Sequence, residues 1–284
     1  MSKDGKLLQE CIVSATTIDG DIIMAKNRDR TYKPSLQIVR DYKDGVEFVY
    51  IEDIDTGWKE GMNSEGVGIL NATLNVKFDE NEMDYINRKG TKTSDGDVIA
   101  LALSKDNMDT ATKVILKNRL NGHTLITGDN GLYALEIDKG HTPVATKMNL
   151  KDLSVRTNHG IYIPSGGYTE GERFNSTKTR KETAEEVLQT VTDYNDIAKA
   201  LRTRKYEPAS MLNMTRKANK IFTSSQLVMN ITKKVFVLYL IEEYIDQFLG
   251  ILNNCPNGYN TKIDIIVYKV KPVEREIVAD LSDV

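Results

Sequence analysis

The chain of 284 residues is poor in the residue types that most often build active sites. It contains two cysteines and three histidines. Two cysteines are too few for a disulfide scaffold or a four-cysteine zinc site. The histidines, His123, His141 and His159, lack the H-x-x-x-H and H-E-x-x-H spacings of zinc hydrolases. We therefore expect no metal and no organic cofactor, and chemistry that relies on other residue types or on one cysteine.

An excess of charge of one sign and a long apolar run are also missing. The 38 lysines and arginines and 41 aspartates and glutamates leave a net charge of −3, so nucleic acid is not expected as the main partner. The longest strongly apolar stretch, 235–241 (VFVLYLI), is far shorter than the ~20 residues of a membrane helix. The first ten residues have no apolar signal-peptide core. We expect a cytoplasmic protein that contacts no membrane, and self-association into a homo-oligomer is left open.

The sequence has the apolar content for a large core, at 40% of its residues. Asp19-Gly20 and Asp44-Gly45 each separate two apolar, β-branched runs, which is a strong hairpin signal. Helical spacing follows in two pairs of segments, over 95–105 and 109–117 and again over 178–189 and 195–202.

Near the end of the chain we predict a helix over 242–252 and a last strand over 262–270. The whole order is strands, two helices, strands, two helices, strands. This order predicts an α+β fold in which helices pack on antiparallel sheets.

Cys11 begins the first predicted strand. A cysteine in such a position is most often a small buried core residue. The stretch Lys26-Asn27-Arg28-Asp29, however, ends the second strand of the first hairpin, and a hairpin returns that strand beside the first. A cation and a carboxylate beside a thiol can set its ionisation and hold its proton acceptor, although such clusters also occur as plain polar turns.

Four motifs in this order resemble the choloylglycine hydrolase and penicillin acyltransferase group of N-terminal nucleophile hydrolases. They are Cys11 with the Lys26-Asn27-Arg28-Asp29 stretch, 61–68 (GMNSEGVG), Thr157-Asn158-His159 and 222–230 (FTSSQLVMN). The resemblance implies a four-layer αββα sandwich with antiparallel sheets. It also implies that the protein cleaves a linear amide C–N bond in a small molecule, or transfers the acyl group to another amine.

The nucleophile of this family is a cysteine exposed as a new N-terminus. Carried over, this implies a propeptide of residues 1–10, cleaved between Glu10 and Cys11, and a single domain over 11–284 with a C-terminal extension from about 241. The chemistry is sound without the family, because a free thiol and an α-amine have pKa values of ~8.5 and ~8. The amine can therefore accept the thiol's proton and return it to the leaving amine. An amide nitrogen cannot do this.

The resemblance also assigns roles to individual residues. Asp29 matches the aspartate that holds the amino group of the nucleophile. Asn158 matches an asparagine on the oxyanion side of the site. A second such asparagine follows the 61–68 turn, where Asn71 is preferred and Asn75 is the alternative.

Further residues are expected around the substrate. Lys26 stands where the family usually has arginine, and is expected to bind substrate. Arg28 is expected to alternate to the other face of its strand. Arg180, or else Arg173, is expected to orient Asp29 or a substrate carboxylate. His159 can line the pocket, although a surface position is the simpler expectation.

A rival hypothesis is a catalytically inactive protein that keeps the sandwich as a binding or structural module. The lysine at position 26 is its main support, since lysine keeps the charge of arginine but lacks the planar fork.

Overall fold

A computed structural model describes residues 9–74, 94–129, 131–138, 141–206, 210–218 and 221–271. Residues 1–8 of the predicted propeptide, the alternative asparagine Asn75 and the C-terminal segment 272–284 lie outside the described residues.

Two large β-sheets form the centre of the fold. The first has the strand order β10-β1-β2-β12-β13-β15, with β11 paired to β12, and the second has the order β14-β3-β4-β5-β6-β7-β8-β9. The strands of the first sheet are β1 (Gln9–Ile18), β2 (Asp21–Arg30), β10 (Ser154–Arg156), β11 (Lys217–Ala218), β12 (Ile221–Asn230), β13 (Val235–Ile241) and β15 (Asp264–Val270). Those of the second are β3 (Ser35–Lys43), β4 (Val46–Asp53), β5 (Trp58–Asn63), β6 (Gly68–Ala72), β7 (Gly122–Gly128), β8 (Gly131–Ile137), β9 (Val144–Met148) and β14 (Gln247–Asn253).

Helices cover the outer face of each sheet. Within the described ranges they are α1 (Asp95–Leu103), α2 (Met108–Asn118), α3 (Gly171–Gln189) and α4 (Ile197–Ala200), with 3-10 turns at Tyr194–Asp196 and Glu242–Tyr244. Among them, no helix is long and apolar enough to cross a membrane.

Three apolar clusters hold these layers together. Residues of α1 and α2 pack on the second sheet, and residues of α3 and α4 pack on the first. The third cluster lies between the two sheets and includes Cys11, Met24, Leu70, Leu125 and Phe236. The layer order is therefore αββα, and the predicted α+β sandwich is confirmed.

The first hairpin sets the register of the strands that carry Cys11 and Asp29. Asp19 and Gly20 have φ angles of 50° and 85°, the positive values that a two-residue type I′ turn requires. From this turn the pairing runs through ten residues of each strand and places Cys11 opposite Arg28. Directly opposed residues point to the same face of a sheet, so the turn decides which charges accompany the thiol.

The C-terminal part of the sequence prediction needs correction. The helix predicted over 242–252 is wrong: a 3-10 turn precedes β14, which pairs in parallel with β3. Phe248 packs toward the inter-sheet core, whereas Leu249 and Ile251 are half exposed. A short apolar run fits both the helical and the strand period. Here backbone pairing along the edge of the sheet stabilises the strand.

The sheets are also not wholly antiparallel. β13 with β15 and β14 with β3 are parallel pairs. Each of the last two strands therefore adds an edge to a different sheet.

The glycine of the 61–68 motif has a steric reason in this fold. Gly61 lies in β5 opposite Tyr50, and a Cβ at this position would stand 1.9 Å from the backbone oxygen of Val49. A backbone atom inside a sheet cannot move aside as a flexible side chain can. The position therefore requires glycine.

We expect Gly61→Ala to lower the free energy of unfolding by about 3 kcal/mol or more, because β4 and β5 must separate. Gly20→Ala is the matched control. A Cβ at Gly20 meets no atom within 4 Å, so only its positive φ costs stability, about 1–2 kcal/mol. Urea unfolding of both variants measures the difference, and equal losses would contradict the steric explanation.

Candidate active site

Cys11 is buried in β1, with 2% of its surface exposed. Its backbone nitrogen donates a hydrogen bond to Oδ1 of Asn158 at 3.1 Å. The side-chain nitrogen of Asn158 in turn donates to the backbone oxygen of Thr73 at 2.7 Å. Asn158 is thus fixed from both ends, and it contacts the nitrogen that processing would turn into a free amine. The predicted cleavage point lies inside β1, since Glu10 and Cys11 are consecutive strand residues.

Two arginines share the inter-sheet face with the thiol. Arg28 lies directly opposite Cys11 in β2, and Nη1 of Arg30 is 3.8 Å from the Cys11 sulfur. Arg28 alternates to the other face of its strand from Asp29, as expected, but that face is the one that carries the Cys11 thiol.

Acidic residues of the second sheet balance these cations. Arg28 is 3.5 Å from the Glu60 carboxylate and 3.8 Å from the Asp53 carboxylate, and Arg30 is 3.2 Å from Asp53. No hydrogen bond joins the guanidinium of Arg28 to another described residue. Burial would lower the pKa of Arg30, but the Cys11 sulfur and nearby acids such as Asp53 raise it above its ordinary value.

Lys26 belongs to the same inter-sheet group. Its ammonium donates to the Glu60 carboxylate and, at 2.5 Å, to the backbone oxygen of Asn71. Burial would raise the pKa of Glu60, but Lys26 and Arg28 outweigh it and hold the pKa low. The lysine is therefore committed to an internal ion pair, and its binding of substrate stays a prediction.

Asp29 lies on the opposite face of the first sheet, beside Glu10. Its carboxylate accepts hydrogen bonds from Thr223 at 2.7 Å and from Nη1 of Arg180 at 3.2 Å, and it faces Nε of Arg216 at 3.6 Å. Burial raises the pKa of Asp29, and the charges of Arg216 and Arg180 oppose this rise without cancelling it.

Glu10 has four hydrogen-bond donors around its buried carboxylate. One oxygen accepts from Tyr168 and from Nη1 of Arg173, each at 3.1 Å. The other accepts from Nη2 of Arg180 at 3.2 Å and from Nη1 of Arg216. Burial would raise the pKa of Glu10, but Arg216 and Arg180 lower it below its usual value. The four donors are called the carboxylate seat below.

Arg180 connects the parts of this region. It lies in α3, is fully buried, and reaches Asp29, Glu10 and Oδ1 of Asn158, the last at 3.3 Å. The structure thus brings it together with the predicted aspartate. Its alternative, Arg173, touches Glu10 at the edge of the same cluster.

Sequence reasoning missed Arg216. No motif surrounds it, and it enters the site because the chain turns from β11 into β12, where its backbone nitrogen donates to Thr223. Its guanidinium then contacts Glu10 and Ser176. Its position just before the 222–230 motif was the only sequence signal available.

Asn71 is not brought to the thiol. Its neighbours Leu70 and Ala72 face the inter-sheet core, so alternation along β6 turns Asn71 toward α1 and α2. There its side-chain nitrogen donates to Thr124 at 2.9 Å. This arrangement disagrees with an oxyanion role for its side chain.

His159 is buried rather than on the surface. Nδ1 of its ring is 2.8 Å from the hydroxyl of Thr177 in α3 and 3.1 Å from that of Thr157. The ring also packs edge-on against Phe174. These contacts tie the histidine to the helix layer, and a role in substrate binding remains a prediction.

The fold is similar to that of penicillin V acylase from Agrobacterium tumefaciens. The match has a TM-score of 0.50 at 12% sequence identity, and it covers 81% of this chain and 85% of that chain. A likeness at this identity shows a shared fold and no more. No protein-family profile matches the sequence, and no curated protein matches it.

Arg216→Gln should lower the free energy of unfolding by about 3–5 kcal/mol, because Glu10 and Asp29 then share one fewer buried cation. Arg173→Gln is the matched control, since Arg173 binds the same carboxylate but is 37% exposed. We expect it to cost about 1 kcal/mol or less. Urea unfolding at pH 7 measures both, and similar losses would show that burial does not govern the strength of this cluster.

Two buried histidines should make the protein less stable in mild acid. Burial, followed by the charge of His123, lowers the pKa of His159 to about 4, and burial lowers that of His123 to about 3. The unfolded chain takes up these protons near pH 6.5. Their contribution to stability is therefore complete above that pH and is lost as the pH falls toward the folded values.

From pH 7 to pH 5 each histidine should account for a loss of about 2 kcal/mol. His159→Gln should remove one such contribution and leave a shallower pH dependence. Urea unfolding at pH 7, 6 and 5 tests this, with pH 8 as the baseline outside the window. A variant with the slope of the wild type would refute the assignment.

Proposed function

We propose that the chain is an N-terminal-cysteine amidohydrolase of the choloylglycine hydrolase type, activated by removal of residues 1–10. The observation that supports this most directly is the hydrogen bond from the Cys11 nitrogen to Asn158, beside Asp29 and Arg180. The chain also has the fold of a known acylase.

Processing converts the Cys11 nitrogen from an amide into an amine. Asn158 then accepts one N–H of that amine, which leaves the nitrogen lone pair free to take the thiol proton. Arg180 donates to the same oxygen of Asn158 and also to Asp29, so Asp29 supports this arrangement through Arg180. Arg180 and Arg216 each face both Glu10 and Asp29. Once Glu10 is removed, Asp29 is the carboxylate that remains beside them, and it can hold the protonated amine.

The sulfur of Cys11 attacks the amide carbonyl, and the carbon–nitrogen bond breaks as the amine returns its proton to the leaving nitrogen. A thioester remains on Cys11, and water hydrolyses it to the free acid and thiol. Arg30, at 3.8 Å from the sulfur, puts a positive charge where the negative charge of the attacking sulfur develops. Arg28 is a second cation on that face.

An acyltransferase differs only in the last step, where a second amine instead of water resolves the thioester. The non-catalytic alternative is favoured by one observation, the internal pairing of Lys26 with Glu60 in place of an open cation. Both alternatives share the fold and differ in whether Cys11 becomes reactive.

Intact-mass measurement of the purified protein should find a chain that starts at Cys11 and lacks residues 1–10. Cys11→Ala should abolish cleavage of linear amides from a panel of bile-salt, phenoxyacetyl, acyl-homoserine-lactone and short peptide types, by at least about a thousandfold. If processing is self-catalysed, this variant also keeps its full length. The matched control is Cys255→Ala, which should be processed and active as the wild type.

A full-length wild-type chain with an unreactive Cys11 would overturn the enzyme hypothesis in favour of the binding module. Hydrolase and acyltransferase are separated in the same assay by adding an acceptor amine and measuring acyl transfer against free acid.

A further inference from the structure

The carboxylate seat binds a group that processing would remove. Its donors, Tyr168, Arg173, Arg180 and Arg216, all converge on the side chain of Glu10. Glu10 is the last residue of the predicted propeptide. In the uncleaved chain the seat is therefore filled by the protein's own carboxylate.

Loss of Glu10 would leave the seat with too much positive charge. Glu10 and Asp29 together face three arginines, of which Arg180 and Arg216 are fully buried. Once Glu10 is gone, Asp29 alone balances them. Buried cations without partners are costly, so the site would favour an incoming anion.

We propose, on the basis of the hydrolase function above, that the mature enzyme uses the carboxylate seat to bind a carboxylate on the acyl side of its substrate. The preferred substrates would be half-amides of dicarboxylic acids.

The acyl position follows from the geometry of the chain itself. The carbonyl of Glu10 is the one bonded to the Cys11 nitrogen, and the same cysteine attacks the substrate carbonyl. An acyl chain that starts at this carbonyl and ends in the seat has the length of a glutamate side chain, which is that of a glutaryl group. The side chains of Glu10 and Cys11 point to opposite faces of β1, but after cleavage no strand residue before Cys11 separates the two faces.

With a glutaryl amide the steps balance as in the general mechanism. The Cys11 sulfur bonds to the acyl carbon, the amine leaves with a proton, and water releases glutarate. The distal carboxylate keeps its charge throughout and exchanges its water for the donors of the seat.

The test compares glutaryl-p-nitroanilide with pentanoyl-p-nitroanilide, which has the same chain without the carboxylate. The processed wild-type protein should cleave the glutaryl compound with a kcat/KM at least about tenfold higher, as a charge-assisted hydrogen-bonded contact predicts. Arg173→Gln should reduce this preference severalfold, mainly through KM for the glutaryl compound. Lys178→Gln, which removes an exposed charge from the same helix, should leave the preference unchanged.

An enzyme that cleaves both compounds equally, or prefers pentanoyl, would overturn the seat while the amidohydrolase function stands. A preference that Arg173→Gln does not alter would overturn it as well. Failure to cleave any amide counts against the proposed function, and the seat is then judged by binding alone.

The binding measurement uses the full chain with Glu10→Ala, which leaves the seat without its carboxylate. Saturating propionate should raise its Tm by about 2–4 °C, or restore its folding if the variant folds poorly. Neutral propionamide should have no such effect, and neither compound should stabilise the full-length Cys11→Ala chain, in which Glu10 still fills the seat. A variant that propionate neither stabilises nor helps to fold would refute a carboxylate seat.

Discussion

The register of the β1–β2 hairpin is the constraint on which the site depends. A two-residue Asp-Gly turn fixes it and pairs Cys11 with Arg28 and Glu10 with Asp29. A slip by one residue would exchange the two faces of a strand. The cations Lys26, Arg28 and Arg30 would then turn from the inter-sheet core to the helix layer. One short turn thus decides which charges surround the thiol.

The site consists of two charge clusters, one on each face of the first sheet. Between the sheets, cations of β2 meet Asp53 and Glu60 of the second sheet around the thiol. Under α3, Glu10 and Asp29 meet Arg180 and Arg216. Buried charges are stabilised only by close partners, so each cluster ties its layer to the next. Cys11 and its nitrogen lie where the two clusters meet, with the thiol in the inter-sheet cluster and the nitrogen bonded to Asn158, which Arg180 also contacts.

Much of the fold could be predicted because its signals are local. The hairpins at Asp19-Gly20 and Asp44-Gly45 and the paired helices follow from turn chemistry and periodicity, whereas the four-layer order was implied by the family resemblance. The helix predicted over 242–252 was wrong because a short apolar run fits both the helical and the strand period. Backbone pairing with β3 decided its structure. The alternation of Arg28 relative to Asp29 was predicted correctly, but only the hairpin register shows that its face is also that of Cys11.

By itself the sequence, with two cysteines and three histidines, excluded a disulfide scaffold and the common zinc motifs, and its resemblance to a known family pointed to Cys11, Asp29, Asn158 and Arg180 as a group. The structure brings the four together: Asn158 accepts a hydrogen bond from the Cys11 nitrogen, and Arg180 donates to both Asn158 and Asp29. Only the tertiary structure decided that Asn71 faces away, that Arg216 enters the cluster, and that Glu10 occupies a seat of four donors. These features depend on contacts between residues as far apart as Glu10 and Arg216. Local sequence carries no record of such contacts, because they form only when the sheet and α3 pack together.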